Sequence, residues 1–565
     1  MTPPGSVKLI GRNGSIISYP KPTDDYDDPL NWSLRRKAVH LSIVLVYAAV
    51  TFAWTDLALL RNVHLASDLS MDASQLAVST SFRYIGMASA GIVFIPLAYK
   101  YGRRPAYLAS LLLQFSAAVW TALVSHRWEY RAANAVAGAG AVVAQSLVPM
   151  TITDLFFTHQ FATVYGLAVF AQGVGCFAGP ILASEIATPH GHDHDWRWLP
   201  WTMAGLFGAT ALLVLFGVEE STFVPNIDNQ VAAKKTLEAE EEEQRTAATR
   251  GHSSYFFNRR ISIGDDSTDA GTATVDADDQ DMLDLVNVTR QAGGGAYLDL
   301  PPGPRPLRQR FALFTRTGRP IRRRILSAFV ILGTFPGVIY AALTYGFLMA
   351  WLSLFSHVVQ TQMMLPPYNL DRRGLALLDL GPLLGHVLGS LVVPPMSDYW
   401  IVSRARRNGG VYEPEMRLWF ALLGGAFVAA GILMFGLGIA KKAPIAELLI
   451  SYILFAFGLS VCQETSLTYI TDCYHNMIGD AMVGIVFFRN ALAVVLWMGI
   501  MPRIGANGTN TVFVTTSIAA AIVMLIPVPL LIWGRRGRML TASKYREYSL
   551  AATPPATLKK IMGER

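Results

Sequence analysis

A chain of 565 residues that is 52% hydrophobic but only 15% charged, with a mean hydropathy of +0.35, lies outside the composition of soluble domains, where about a quarter of residues are charged. The net charge of +7 would point to nucleic acid in a soluble protein; here the basic residues stand beside long apolar runs, so membrane orientation accounts for them and no nucleic-acid partner is expected. Cys176, Cys462 and Cys473 all fall in or at the ends of apolar runs, which excludes a disulfide framework and a cysteine-rich metal site, and the absence of any Gly-Lys pair excludes the Walker A loop of an ATP-driven pump.

Apolar runs long enough to cross a hydrocarbon core recur along the chain. A polar N-terminal tail, residues 1–37, precedes the first of them, which reads as a retained helix because no small-residue cleavage site follows. Twelve spans are expected, at roughly 38–58, 75–98, 105–124, 130–152, 163–187, 198–218, 328–357, 374–397, 416–439, 446–471, 481–503 and 511–533. Pro336-Gly337 divides the seventh run into an interfacial lead-in and the span itself. The expected organisation is a bundle at 38–218, a cytoplasmic central loop at 219–325, a second bundle at 326–534 and a tail at 535–565.

The central loop carries an acidic run at Glu238 and Glu240 to Glu243, then "AGGGA" and "PPGPRP", a composition that reads as largely disordered. Its "RRIS" at Arg259 to Ser262 is either a site for a basic-directed kinase or part of a solvated linker. Basic links fall at equivalent places in the two halves: "YKYGRRP" (Tyr99 to Pro105) after span two and "SDYWIVSRARRNGG" (Ser397 to Gly410) after span eight. The fold class expected is therefore an all-α membrane protein of twelve transmembrane helices in two six-helix pseudo-symmetric bundles.

The clusters Arg35-Arg36-Lys37, Arg103-Arg104, Arg322 to Arg324, Arg406-Arg407 and Arg535-Arg536 fall on one side with both termini, outnumbering Arg372-Arg373 and Lys441-Lys442 on the other. That side is expected to be cytoplasmic. Asn507 then begins an outward-facing glycosylation sequon between spans eleven and twelve. "PHGHDHDW" (Pro189 to Trp196) has metal-ligand residue types, but in a short Gly- and Pro-rich outer loop it reads as solvated, and no metal is expected.

A charge at the bilayer centre costs roughly 2.5–3.5 kcal/mol even on lenient insertion scales, so intramembrane polar residues mark candidate sites. Asp56 in span one and Glu185 in span five are either interfacial or cavity-facing, and Arg83 lies well inside span two. In span ten Ser460, Glu464, Thr468 and Asp472 recur every four residues, a stripe about 18 Å long at 1.5 Å per residue, widened by Gln463 and Tyr469. Such a stripe lines a cavity or is buried against another helix. Arg489 in span eleven is the expected counter-charge for Glu464 or Asp472, as a structural pair or with Glu464 left free for a cation or proton. Tyr340, Tyr345 and Trp351 in span seven are candidates for stacking or cation–π contact with substrate.

Several stretches resemble the major facilitator superfamily, and within it a fungal group of twelve-span drug:proton antiporter-like and polyamine or organic-cation carriers. They are "DDPLNWS" (Asp27 to Ser33), "YGRRP", "WRW" (Trp196 to Trp198), "VEESTF" (Val218 to Phe223), "ARRNGGVYEPEMRL" (Ala405 to Leu418) and "SLTYITDCY" (Ser466 to Tyr474). "GLAVFAQGVGCFAGPILASEI" resembles the fifth-helix motif associated with antiporters, as Gly166, Gly175, Gly179-Pro180 and Ala183 in place of a last glycine. Small residues at that spacing let helices approach closely, and the proline removes a backbone hydrogen bond.

The resemblance implies that Gly102, Arg103, Arg104 and Asp398 act in conformational switching. Two positions depart from the pattern: Tyr99 stands where an acidic residue is usual, and Asn134 where a span-four arginine linked to proton coupling is usual, with Arg131 nearby as a possible substitute. The expectation is a monomeric, multi-pass plasma-membrane transporter, not an enzyme and without cofactor, that exports a small organic compound such as a toxin or secondary metabolite in exchange for protons. The alternatives are uptake of polyamines or other organic cations, and a transporter-like nutrient receptor.

Overall fold

A computed structural model describes residues 3–11, 15–20, 22, 28–182, 196–222, 310–311, 314, 321–500 and 509–551. Glu185, Ala183, the His-Asp loop before Trp196, the Asn507 sequon and nearly all of the central stretch lie outside the described residues. In hydrocarbon every backbone N–H and C=O must be satisfied within the segment, so long apolar runs fold as helices. Among the described residues twelve helices are long and apolar enough to cross a membrane: spans one to six are Leu34–Leu57, Ser74–Tyr101, Arg103–Ala122, Arg127–Leu155, Thr158–Leu182 and Trp198–Gly217. Spans seven to twelve are Pro336–Val359, Leu380–Arg407, Pro414–Ala440, Ile445–Cys473, His475–Gly499 and Thr511–Leu540.

The break before span seven falls where its proline places it. A helix Ile321–Thr334 ends, Phe335 is extended at φ −99° and ψ 115°, and Pro336 opens the next helix at a position where its missing N–H costs nothing. Span one runs on beyond its apolar part, as a helix from Leu34 to Asp68.

Within the first half span two packs on span four; within the second, spans nine and ten and spans eight and ten pack together. The halves meet where span two lies on span eleven and where span five lies on spans eight and ten. An even number of spans places the two ends of the chain on one side, called here the near side. Two short strands confirm the pairing of ends there: β1 (Val7–Lys8) runs antiparallel to β2 (Val411–Tyr412), the latter in the link after span eight. Arg538, at the end of span twelve, donates to the carbonyl of Pro4 and to Ser6 Oγ at 3.2 Å. Leu9 and Ile10 of the tail are buried against Ile401, Ala405 and Tyr412. The N-terminal tail thus seats on the second half before the chain enters the first.

Candidate functional site

In span five the pattern of small residues and proline takes a distinct local form. Its helix Phe161–Gly173 passes into a π-helical turn, Val174–Ala178, one turn before Pro180. The proline has no N–H for the carbonyls upstream of it, and a wider turn is one way a helix accommodates that loss. The small residues serve two neighbours. Gly175 lies against the Ala49 carbonyl and Gly179 against Ala53, both in span one, whereas a Cβ on Gly166 would come within 2.5 Å of the Ser390 carbonyl in span eight. One face holds span five to its own half, and the other lets it approach the opposite half closely.

Two locks close the near side. In the first, Asp398 at the end of span eight accepts from the Thr163 N–H (2.8 Å), the Ala162 N–H (3.3 Å) and the Thr163 hydroxyl (2.7 Å) at the start of span five. A carboxylate at a helix N-terminus meets unsatisfied donors and the positive end of the helix dipole. Arg417 joins this lock to span ten, donating to Asp398 at 2.9 Å, to Asp472 at 2.8 Å and to the Thr158 carbonyl of the first half at 2.9 Å. Tyr412 also donates to Asp472.

In the second lock Tyr99, at the end of span two, abuts Gly479 at the start of span eleven. The guanidinium of Arg324 lies 4.1 Å from its ring centroid, and Arg324 pairs with Asp480 at 3.3 Å. The adjacent motif is stitched within its own half: Arg103 makes a two-pronged pair with Asp154 (2.7 and 3.0 Å), and Glu220 accepts from the N–H groups of Arg103 and Arg104. Gly102, at φ +107°, supplies the turn that aims those N–H groups at Glu220.

Farther into the membrane, polar side chains meet across the halves. Gln463 donates to Gln172 Oε1 at 2.9 Å, Asn490 to Gln145 Oε1 at 3.2 Å, and His386 Nε2 lies 2.8 Å from the Val169 carbonyl. Gln463 Oε1, Asn490 Oδ1 and Arg489 Nη1 are buried without a hydrogen-bond partner, and these are the groups a ligand would satisfy. Arg489 lies 4.4 Å from the Tyr345 ring centroid. Trp351 packs against Phe347, and Tyr469 stands edge-on to Tyr340. Glu464 accepts from Thr468 at 2.7 Å and Thr465 at 3.3 Å, and forms no ion pair among the described residues.

Two sequence expectations are corrected. Arg489 is not the counter-charge of Glu464 or Asp472. The partner of Asp472 is Arg417, and Arg489 stands within electrostatic reach of Asp56 in the other half. Arg131 does not fill the place left by Asn134: among the described residues its Nε reaches Ser79, at 3.4 Å. Instead Arg83 comes across from span two, donating to Asn134 Oδ1 at 2.9 Å and to the carbonyls of Trp54 and Thr55. Gly138 permits this approach, because a Cβ there would collide with the Arg83 carbonyl. Of the two placements open to the span-ten stripe, the structure has the buried one along its length, with Asp472 paired to Arg417.

Sequence reasoning did not single out Arg417, Gln145, Gln172, His386, Asp379 or Asn490. The criterion of a polar residue inside an apolar run finds all but Arg417, which sits at the start of span nine.

Twelve spans in two halves, polar groups meeting at mid-membrane and near-side locks between the halves define a membrane transporter. The chain belongs to the Major Facilitator Superfamily, whose profile matches residues 40–498. It is 26% identical to an uncharacterized MFS-type transporter of Schizosaccharomyces pombe, over 95% of this chain and 90% of that one. Protein HOL1 of Saccharomyces cerevisiae is 23% identical, over 95% and 93%. Among solved structures the proton:xylose symporter XylE superposes with a TM-score of 0.57 at 14% identity, over 89% of this chain and 96% of that one. The chain is accordingly a multi-pass transporter of this superfamily and not an enzyme.

Proposed function

We propose that the chain exports a small organic compound in exchange for protons, by alternating access, from a cell whose plasma membrane holds it with both termini in the cytoplasm. The observation that carries this reading is Glu464. It is a buried intramembrane carboxyl held, among the described residues, by hydroxyl donors of its own helix, one residue from the Gln463–Gln172 bridge between the halves. Gain or loss of its proton changes the charge carried at that depth without breaking an ion pair, which is what a coupling group must do. The π turn and the two-faced glycine pattern of span five support rocking of the halves against each other.

The test uses the full chain in proteoliposomes containing a pH-sensitive dye. Addition of a toxic amphiphile drives proton movement in the opposite sense, and Glu464→Gln removes at least nine-tenths of it while the amphiphile still binds. In cells lacking their own carriers, the wild-type chain lowers accumulation of the amphiphile.

A second reading, uptake of organic cations, draws on Asp56 in span one and Asp379 at the start of span eight. Each is part-accessible, and they lie within electrostatic reach of one another. Accumulation of radiolabelled spermidine that is stronger at one of two external pH values, and lost in Glu464→Gln, overturns export and establishes uptake.

A further inference from the structure

On the near side, a cavity of about 390 Å³ opens between the end of span eight, the start of span nine and the end of span twelve. Arg404, Arg407 and Arg535 line it, with Trp419 and Leu531 on its membrane-facing wall. Its acidic residues are already engaged. Both carboxylate oxygens of Glu415 accept from the buried Arg538, at 2.9 and 2.6 Å, and Glu413 lies 3.5 Å from both Arg535 and Arg538. Arg404 and Arg407 are exposed and make no ion pair among the described residues, while the two lining carboxylates are held by Arg535 and Arg538.

We propose that this cavity binds the phosphate of an anionic phospholipid headgroup. Guanidinium groups present paired donors that match phosphate oxygens, and two of them around one concavity fix its position. The wall chooses a lipid over a soluble phosphate. Trp419 is 54% exposed, Trp400 41% and Trp533 56%, placing an aromatic belt at the depth where headgroup meets acyl chain. One turn deeper on span nine, Leu423 is exposed where an acyl chain would lie. The basic side on which the cavity opens is the one the positive-inside pattern assigns to the cytoplasmic leaflet, which carries anionic lipids.

The site also touches the near-side architecture. Glu413 and Glu415 stand beside β2, and Arg538, which holds Glu415, also holds Pro4 and Ser6 of the tail. A headgroup drawn to Arg535 therefore competes with Glu413 for that arginine.

The experiment is native mass spectrometry of the full-length protein released from mixed micelles of phosphatidylserine and phosphatidylcholine. Phosphatidylserine is retained in preference to phosphatidylcholine. The double variant Arg404→Gln/Arg407→Gln loses that preference by roughly 25-fold, from about 1 kcal/mol per basic residue. Lys544→Gln/Arg546→Gln removes the same charge from the exposed end of the chain and leaves the preference unchanged. An unchanged thermal unfolding midpoint in both double variants shows that each is folded. Arg404→Lys/Arg407→Lys separates shape from charge and retains part of the preference. Equal retention of the two lipids, or a preference that survives Arg404→Gln/Arg407→Gln, overturns the proposal. Displacement of the lipid by soluble glycerophosphoserine at matching concentration assigns the site to a free phosphate ester and overturns the lipid assignment.

Discussion

The two near-side locks occupy equivalent positions in the two halves but are built from different chemistry. In span eight, Asp398 places a carboxylate on the first turn of span five and shares Arg417 with Asp472. At the end of span two, Tyr99 places a ring against the first turn of span eleven, and the charge is moved sideways into the Arg324–Asp480 pair. A buried carboxylate–guanidinium network is strong only while complete, because loss of one member strands the others. A ring under a guanidinium is weaker, about 0.5–2 kcal/mol. Opening of the near side therefore meets a brittle lock between spans five and eight and a softer one between spans two and eleven.

The comparison breaks most completely at Arg417. Arg417→Ala leaves Asp398 and Asp472 buried without their cation, and the closed near side is expected to lose about 3–5 kcal/mol. A cysteine at Ser390, buried between spans five and eight, then reacts with a membrane-impermeant maleimide that does not reach it in the parent. Native Cys176, Cys462 and Cys473 are buried and give a low background. Unchanged labelling would show that Arg417 merely packs.

Gly166→Val acts on the same lock by size instead of charge. The added atoms meet the Ser390 carbonyl and the Pro394 ring, so spans five and eight separate at a cost of about 1–3 kcal/mol, again read from Ser390→Cys labelling. Tyr99→Ala sharpens the contrast from the other side. It removes the ring from Arg324 and Gly479 for about 1–2 kcal/mol or less, and labelling of Ala481→Cys on span eleven rises only slightly. An effect as large as that of Arg417→Ala would dissolve the distinction between the locks.

The spans and their pairing into halves were legible because twelve apolar runs, and basic links in equivalent places, are local properties of sequence. The Pro336 break was legible for the same reason. Partners were not, because they lie across the molecule. Proximity in sequence matches Arg489 to acids in its own half, yet none of them pairs with it among the described residues, and it stands within electrostatic reach of Asp56. The vacancy at Asn134 was matched to Arg131 one turn away, yet the guanidinium arrives from Arg83 on span two. Helix rotation decides which residues meet, and the near-uniform apolarity of these helices leaves little periodic signal to fix it. Arg417 was read as part of a signature, and nothing in "EPEMRL" indicates three partners on three other segments.

The seat of the N-terminal tail has a consequence for how the protein is made. β1 is synthesised roughly 400 residues before its partner β2, with eight spans between them, so it waits unpaired while those spans are made. Its docking is then among the last steps of maturation, and a bulky fusion ahead of Pro3 obstructs it where the same fusion after the last span does not.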